Sequence, residues 1–125
     1  MPDNFSVFLL QGGASLQFSA ICYNLLEDGE RQSANFVTTG YWGTQVIAEA
    51  RKYCHANEVT SNIAGGSTTV ADPAEWNIDP NARFFHYCDN ETINGLEFDQ
   101  QFPFHLVPEG QVLVCDMSSN LMTKP

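Results

Sequence analysis

Residues Ser6 to Phe18 read SVFLLQGGASLQF, and this stretch decides the fold class. Ser6–Leu10 is a short apolar run rich in strand formers, Gly12-Gly13 is a turn that tolerates unusual backbone angles, and a segment with helical spacing begins at Ser15. A strand that passes through glycines into a helix presents unpaired N–H groups and the positive end of the helix dipole, which favour a phosphate. The stretch predicts a strand, a helix and an anion site between them, although many such glycine turns bind nothing.

Further helices and strands alternate along the chain. The helix from Ser15 is expected to reach Leu26, and a second helix is expected over Thr44–Tyr53, each with one apolar face. Strands are expected at Ala34–Thr38, Arg83–Cys88 and Gln111–Cys115, with a short one near Glu58–Thr60. Asp72 and Pro73 are typical of the N-cap and first position of one helical turn. This alternation predicts an α/β fold: a mostly parallel sheet flanked by helices.

Length and composition exclude several classes of protein. With 125 residues, of which 43% are hydrophobic, the chain is expected to form one domain at most, or a piece of a larger one. Fifteen acidic residues against five basic ones give a net charge of −10, which argues against nucleic acid as a partner. No apolar run approaches the roughly 20 residues that span a bilayer, and no basic region leads into an apolar stretch at the start. We therefore expect no membrane association and a cytoplasmic location.

The four cysteines lie far apart in the sequence, at Cys22, Cys54, Cys88 and Cys115. In a chain without an export signal they are expected to be reduced and buried. Their spacing to the histidines is not that of a zinc site, so no metal is expected.

Polar or glycine-rich segments follow four of the predicted strands. These segments are Gln11–Ser15, Thr39–Gly43, Asp89–Gly95 and Asp116–Asn120. In open parallel sheets the ligand lies beyond the carboxyl ends of the strands, so the four segments are expected to meet around one site.

Three residues of these segments have two interpretations each. Asp116 anchors its loop, or it is the counter-ion of a protonated heterocycle, because a carboxylate after a buried strand needs a partner. Trp42 belongs to the core or offers a flat stacking surface, and Thr92 supplies a turn hydroxyl or a ligand donor. Together with the glycine turn, these groups suit a cofactor that has a phosphate and a basic aromatic ring, as pyridoxal phosphate has.

Four strings resemble the phosphoserine aminotransferase family, in that family's order and at closely similar spacing. They are QGGASLQFSA (Gln11–Ala20), GYW…EARKYC (Gly40–Cys54), HYCDNETINGLEF (His86–Phe98) and CDMSSN (Cys115–Asn120). The likeness extends over essentially the whole chain. It implies a class V, fold-type I transaminase that uses pyridoxal 5'-phosphate to move an amino group between phosphoserine and 2-oxoglutarate, with glutamate and 3-phosphohydroxypyruvate as the other pair, and that forms a homodimer at full length.

The resemblance also assigns roles to individual residues. Ala14 and Ser15 fall where the family holds the cofactor phosphate, and Trp42 falls where an indole stacks on the pyridine ring. Thr92 matches a threonine that contacts the cofactor, and Asp116 matches the acid paired with the ring nitrogen.

The chain departs from the family in what it lacks. The Schiff-base lysine is expected roughly two dozen residues after Asp116, and the chain ends at Pro125. Lys52 matches a surface lysine, and Lys124 is too close to Asp116 to be the catalytic one. From the resemblance we also expect the N-terminal arm with its substrate-binding arginine and the small C-terminal domain to lie outside these 125 residues.

We therefore expect residues 1–125 to be part of the cofactor-binding large domain, with no catalytic residue and no activity alone. The alternative is a non-catalytic interaction or structural domain derived from the same sheet. A nucleotide-binding Rossmann domain is disfavoured, because Gln11–Phe18 lacks the Gly-x-Gly-x-x-Gly spacing.

Overall fold

A four-stranded parallel sheet forms the centre of the protein in a computed structural model, which describes residues 3–27, 31–61, 66, 69–98 and 102–123. The strands are β1 (Ser33–Thr38), β2 (His55–Ser61), β3 (Phe84–Cys88) and β6 (Val112–Asp116), in the spatial order β2-β1-β3-β6. A separate antiparallel hairpin of β4 (Asn90–Glu91) and β5 (Leu96–Glu97) follows β3. The helices are α1 (Ala14–Leu25) and α2 (Tyr41–Ala50), and within the described residues no helix is long and apolar enough to cross a membrane. The predicted α/β class is confirmed.

Most predicted elements agree with the structure to within a few residues. Asp72 caps the short 3₁₀ helix Pro73–Glu75, since its carboxylate accepts from the Ala74 N–H at 2.9 Å. The second helix differs, because it begins at Tyr41 and ends at Ala50 rather than spanning Thr44–Tyr53. The helix begins early because the carboxylate of Glu91 accepts hydrogen bonds from the N–H groups of Trp42 and Gly43 in its first turn.

The strand predicted at Ser6–Leu10 is wrong. The structure gives this segment no regular secondary structure, and its apolar side chains are exposed, with Phe8 at 77% and Leu9 at 96%. A strand is defined by hydrogen bonds to a neighbouring strand, and none of β1, β2, β3 and β6 pairs with this segment. The apolar pattern is that of a buried strand, but the described residues provide no partner for it.

Two apolar clusters cover the two faces of the sheet. On one face, α1 and α2 pack on alternate strand residues such as Phe36 and Phe84. On the other, residues after β2 pack on Phe85 and Tyr87, with Trp76 as the largest ring. The cysteines Cys22, Cys54 and Cys88 are buried, as expected, and Cys115 is partly buried. This layering brings the N-termini of both helices to the edge where the strands end.

Candidate functional site

A cavity of about 140 Å³ lies at the carboxyl ends of β3 and β6. The two strands end side by side, with Cys88 paired to Asp116. The lining includes Ala14, Trp42, Thr92 and Asp116, which are four of the five predicted site residues. Ser15, the fifth, follows Ala14 in the first turn of α1 and is exposed, but it does not line the cavity. Four distant segments therefore meet at one place, as the sequence predicts.

Described residues donate hydrogen bonds to only one of the two carboxylate oxygens of Asp116. Its Oδ1 atom accepts hydrogen bonds from the Ser118 N–H at 3.0 Å and the Ser118 hydroxyl at 2.6 Å, so Asp116 does anchor the loop that follows β6. Its Oδ2 atom accepts no hydrogen bond from a described residue. The half-buried carboxylate at the cavity can therefore anchor its loop with one oxygen and receive an N–H from a ligand with the other.

The N-terminus of α1 is open toward this cavity. Gly13 is the N-cap residue, no side chain caps the helix, and its first turn has no acidic residue. A Cβ atom built on Gly13 would meet nothing within 4 Å, and Gly12 has φ of +139°, a conformation that suits glycine. The first N–H groups of a helix have no partner inside it, so this end offers donors and a positive potential to an anion.

The N-terminus of α2, in contrast, is filled by the buried carboxylate of Glu91, which is 1% exposed. Its Oε2 atom accepts from the Trp42 N–H and its Oε1 atom from the Gly43 N–H, both at 2.7 Å. Burial raises the pKa of Glu91, and the N–H donors of α2 oppose that rise. Thr92 follows Glu91 in the sequence, so the hydrogen bonds of Glu91 hold Trp42 close to Thr92. Sequence reasoning missed this role, because no local pattern connects Glu91 to a helix 48 residues earlier.

The hairpin that carries Thr92 is also tied to the loop after Asp116. The buried side chain of Asn120 donates to Asp89 at 2.5 Å and to Glu97 at 2.8 Å, and the Ser119 hydroxyl donates to the Asn90 carbonyl at 3.1 Å. The β4–β5 hairpin and the loop after β6 therefore form one hydrogen-bonded unit around the cavity.

A second cavity, of about 550 Å³, adjoins the first and shares Ala14, Asp116 and Ser118 with it. It extends between the start of α1 and the edge strand β6, and it is also lined by Phe18 and His86. Asp116 thus faces open space on two sides.

The family model for class-V aminotransferases matches residues 1–125. The chain belongs to the class-V aminotransferase family. Among curated members, it is 42% identical to the phosphoserine aminotransferase of Drosophila melanogaster, covering all of this chain and 33% of that protein. It is also 42% identical to phosphoserine aminotransferase 1, chloroplastic, of Arabidopsis thaliana, covering all of this chain and 28% of that one.

Solved class-V structures share the fold. The chain superposes on a pyridoxal-phosphate-bound phosphoserine aminotransferase from Trichomonas vaginalis with a TM-score of 0.83 and 36% identity, covering all of this chain and 34% of the other. For the phosphoserine aminotransferase of Bacillus circulans subsp. alkalophilus the TM-score is 0.77 at 36% identity, with 93% of this chain and 30% of the other covered. The chain therefore spans about a third of the length of the relatives it matches.

Proposed function

We propose that this chain forms part of the pyridoxal-phosphate site of a phosphoserine aminotransferase, which transfers an amino group between O-phospho-L-serine or 3-phosphohydroxypyruvate and glutamate or 2-oxoglutarate. The observation that supports this most strongly is the meeting of Ala14, Trp42, Thr92 and Asp116 around one cavity beside an uncapped helix N-terminus. The names of the relatives supply phosphoserine and the transfer of an amino group, and the other three substrates are those that the family resemblance implies.

The residues present fit this cofactor in chemical type. Asp116, through the Oδ2 atom that has no described donor, would hold a protonated ring nitrogen, and Trp42 would cover one face of the ring. The first N–H groups of α1 at Ala14 and Ser15, with the Ser15 hydroxyl, would bind the phosphate, and the Thr92 hydroxyl would contact the ring. No Lys or Arg is among the described residues that line either cavity, so what these residues offer the phosphate is N–H and hydroxyl donors. When bound, the cofactor supplies an electron-accepting ring for amino transfer.

The amine that this chemistry needs must come from residues other than Lys52. Lys52 pairs with Glu49 just beyond the end of α2, whereas Trp42 is at the start of that helix. Ten helical residues rise about 15 Å, so the Lys52 backbone is far from the indole. Lys124 lies outside the described residues. We therefore propose that residues 1–125 are part of the cofactor-binding large domain, and that they bind the cofactor without a covalent bond.

Assembly and compartment are part of the same proposal. A homodimer at full length is proposed from the family resemblance, and a cytoplasmic location is proposed because free, buried cysteines such as Cys22, Cys54 and Cys88 are typical of a reducing compartment. The Arabidopsis relative is named as chloroplastic.

Titration of the chain with pyridoxal phosphate, followed by tryptophan fluorescence, tests the proposal. The chain has two tryptophans: Trp42 lines the cavity, and Trp76 packs on the opposite face of the sheet. Saturable quenching is expected in the unchanged protein and in Trp76→Phe, and its loss is expected in Trp42→Phe. Asp116→Asn is expected to weaken binding about tenfold, because it removes a charge-assisted hydrogen bond. Absence of saturable binding would contradict the proposed function and favour a non-catalytic domain.

A further inference from the structure

His86 is a buried polar residue that has no hydrogen-bond partner among the described residues. It lies in the middle of β3, its side chain is 1% exposed, and neither ring nitrogen makes a hydrogen bond to the part of the chain that the structure describes. Most buried polar side chains have a partner, and one without a partner costs about 1–3 kcal/mol. Phe36, whose ring centre is 5.8 Å away, offers no hydrogen-bonding group. A buried histidine with this cost is expected to interact with a polar group nearby.

The sheet register places His86 and Asp116 on the same face. His86 pairs with Val114, and two residues further Cys88 pairs with Asp116. Because paired residues of neighbouring strands point to the same side, and every second residue returns to it, His86 and Asp116 are diagonal neighbours on the helix-covered face. Diagonal neighbours in a sheet are within reach of an aromatic ring.

Both side chains also face the same open space. His86 and Asp116 line the second cavity, and its other lining residues include Phe18, Ile21 and Val114, which are apolar. The cavity therefore has room for torsion changes that would bring the imidazole and the carboxylate together. Among its described lining residues, Cys115 is the only other titratable group, and burial raises the pKa of its thiol to about 11.

The two groups are complementary at neutral pH. Burial lowers the pKa of His86 to about 4, although the Asp116 carboxylate pulls it upward. The ring is therefore neutral and has one N–H to donate. Asp116 uses its Oδ1 atom for Ser118, and its Oδ2 atom has no described donor. A carboxylate oxygen has two lone pairs, so Oδ2 can accept the His86 N–H and a ligand N–H together.

We propose that His86 is the positioning residue for Asp116, donating its ring N–H to that carboxylate and fixing the direction in which the carboxylate faces the ligand cavity. The consequence for the cofactor ring nitrogen rests on the proposed function, whereas the contact between His86 and Asp116 does not. His86 would act only through Asp116 and would not touch the cofactor.

Histidine NMR tests the contact without any cofactor. The chain contains three histidines, and His55 and His105, both exposed, serve as internal controls. In the ¹⁵N-histidine-labelled chain, Asp116→Asn is expected to move the ring ¹⁵N resonances of His86 and to leave those of His55 and His105 in place. Unchanged His86 resonances in Asp116→Asn would overturn the proposal.

Pyridoxal phosphate affinity tests the consequence. His86→Phe is expected to weaken binding about tenfold, and His86→Gln, which keeps an N–H donor, is expected to recover most of that loss. In the Asp116→Asn background, His86→Phe is expected to have no further effect, since the residue acts through Asp116. Circular dichroism verifies that each variant is folded, and His105→Phe is the matched control.

The outcomes separate the two proposals. If the unchanged chain fails to bind pyridoxal phosphate, the proposed function is contradicted and the NMR comparison alone decides the role of His86. If the unchanged chain binds and folded His86→Phe binds equally well, the role of His86 is overturned while the cofactor site stands. The role of His86 is overturned as well if His86→Phe and Asp116→Asn lower the affinity for pyridoxal phosphate additively in the double variant.

Discussion

At Glu91, one carboxylate closes the N-terminus of α2 and lies at the base of the hairpin that carries Thr92. The side chain is buried, and it accepts from the N–H groups of Trp42 and Gly43. Trp42 and Thr92 therefore keep their places in the cavity lining through a residue that itself does not line the cavity. The geometry of the site depends on this contact between segments that are distant in sequence.

Glu91→Gln is expected to lower the free energy of unfolding by about 1–3 kcal/mol at pH 7, because an amide accepts with one oxygen and leaves a buried N–H of α2 facing its own NH₂ group. Urea denaturation followed by circular dichroism measures the change. Glu75→Gln, at an exposed carboxylate, is the matched control and is expected to change stability by less than about 0.5 kcal/mol. Equal midpoints for the two variants would contradict the capping role.

His86 is expected to make the protein sensitive to mild acid. Its pKa is about 4 in the folded chain against 6.5 for an ordinary histidine, so the unfolded chain binds the proton first as pH falls. The stability contribution is present above pH 6.5 and is lost between 6.5 and about 4, by up to about 3 kcal/mol.

Urea denaturation at several pH values, compared between the unchanged chain and His86→Phe, isolates this effect. The comparison is needed because burial also raises the pKa of Glu91, and a raised carboxyl pKa makes the folded chain more stable as pH falls. The effect of Glu91 on stability therefore opposes that of His86. His86→Phe is expected to flatten the fall between pH 6.5 and 4. If the free energies of unfolding of the two proteins fell in parallel with pH, His86 would not be the source of the acid sensitivity.

Both helices have a glycine N-cap, but the space around Gly40 is filled and the space around Gly13 is open. A Cβ atom at Gly40 would come within 2.6 Å of Asn94 and 2.7 Å of Glu91, whereas one at Gly13 would meet nothing. Neither glycine has a positive φ, so the contrast is steric. The start of α2 is packed against the hairpin, and the start of α1 is left open toward the cavities.

Gly40→Ala is therefore expected to displace the hairpin and to destabilise the protein by about 1–3 kcal/mol, the usual cost of overpacking. Gly13→Ala, the same change at the matching position, is expected to leave stability within about 0.5 kcal/mol. Thermal unfolding of the two variants makes the comparison. A larger loss in Gly13→Ala than in Gly40→Ala would contradict the packing described for these helices.

The sequence predicts those elements whose signal is local. Apolar spacing placed α1 and the strands β1, β3 and β6 to within one or two residues. The start of α2 depends on Glu91, and the β4–β5 hairpin depends on Asn120, so neither has a local signature. The strand expected at Ser6–Leu10 failed for the same reason, because strand formation needs a partner that no local pattern supplies. The sequence gives no signal for a role of His86, since its lack of a hydrogen-bond partner among the described residues is visible only in three dimensions.

The exposed apolar segment Ser6–Leu10 is expected to cause self-association of the chain. Phe8 and Leu9 are far more exposed than side chains of their size usually are, and contiguous apolar surface favours association. Sedimentation velocity is expected to show mass that rises with protein concentration.

The double variant Phe8→Ser, Leu9→Ser is expected to reduce this association. Leu121→Ser, at an exposed leucine outside this segment that is 67% accessible, is the control and is expected to have little effect. A monomer at all concentrations, or the same association in every variant, would contradict a role for the segment.

The chain alone is expected to form no glutamate from phosphoserine and 2-oxoglutarate above the background of free pyridoxal phosphate. Transamination needs an amine that shuttles a proton at the substrate carbon, and Lys52 pairs with Glu49 at the far end of α2 from Trp42. Borohydride reduction with pyridoxal phosphate, followed by mass spectrometry, is expected to show no stoichiometric label. Labelling of Lys52 or Lys124 together with glutamate formation would contradict this expectation.

The most direct test of the cofactor site is an NMR titration of the ¹⁵N-labelled chain with pyridoxal phosphate. We expect saturable shifts of the backbone amides of Ala14, Ser15, Trp42, Thr92 and Asp116, with little change at Trp76 and Val59 on the opposite face. The shifts are expected to weaken together in Asp116→Asn. Saturable shifts confined to other parts of the chain, or none at all, would contradict a cofactor site at the ends of β3 and β6.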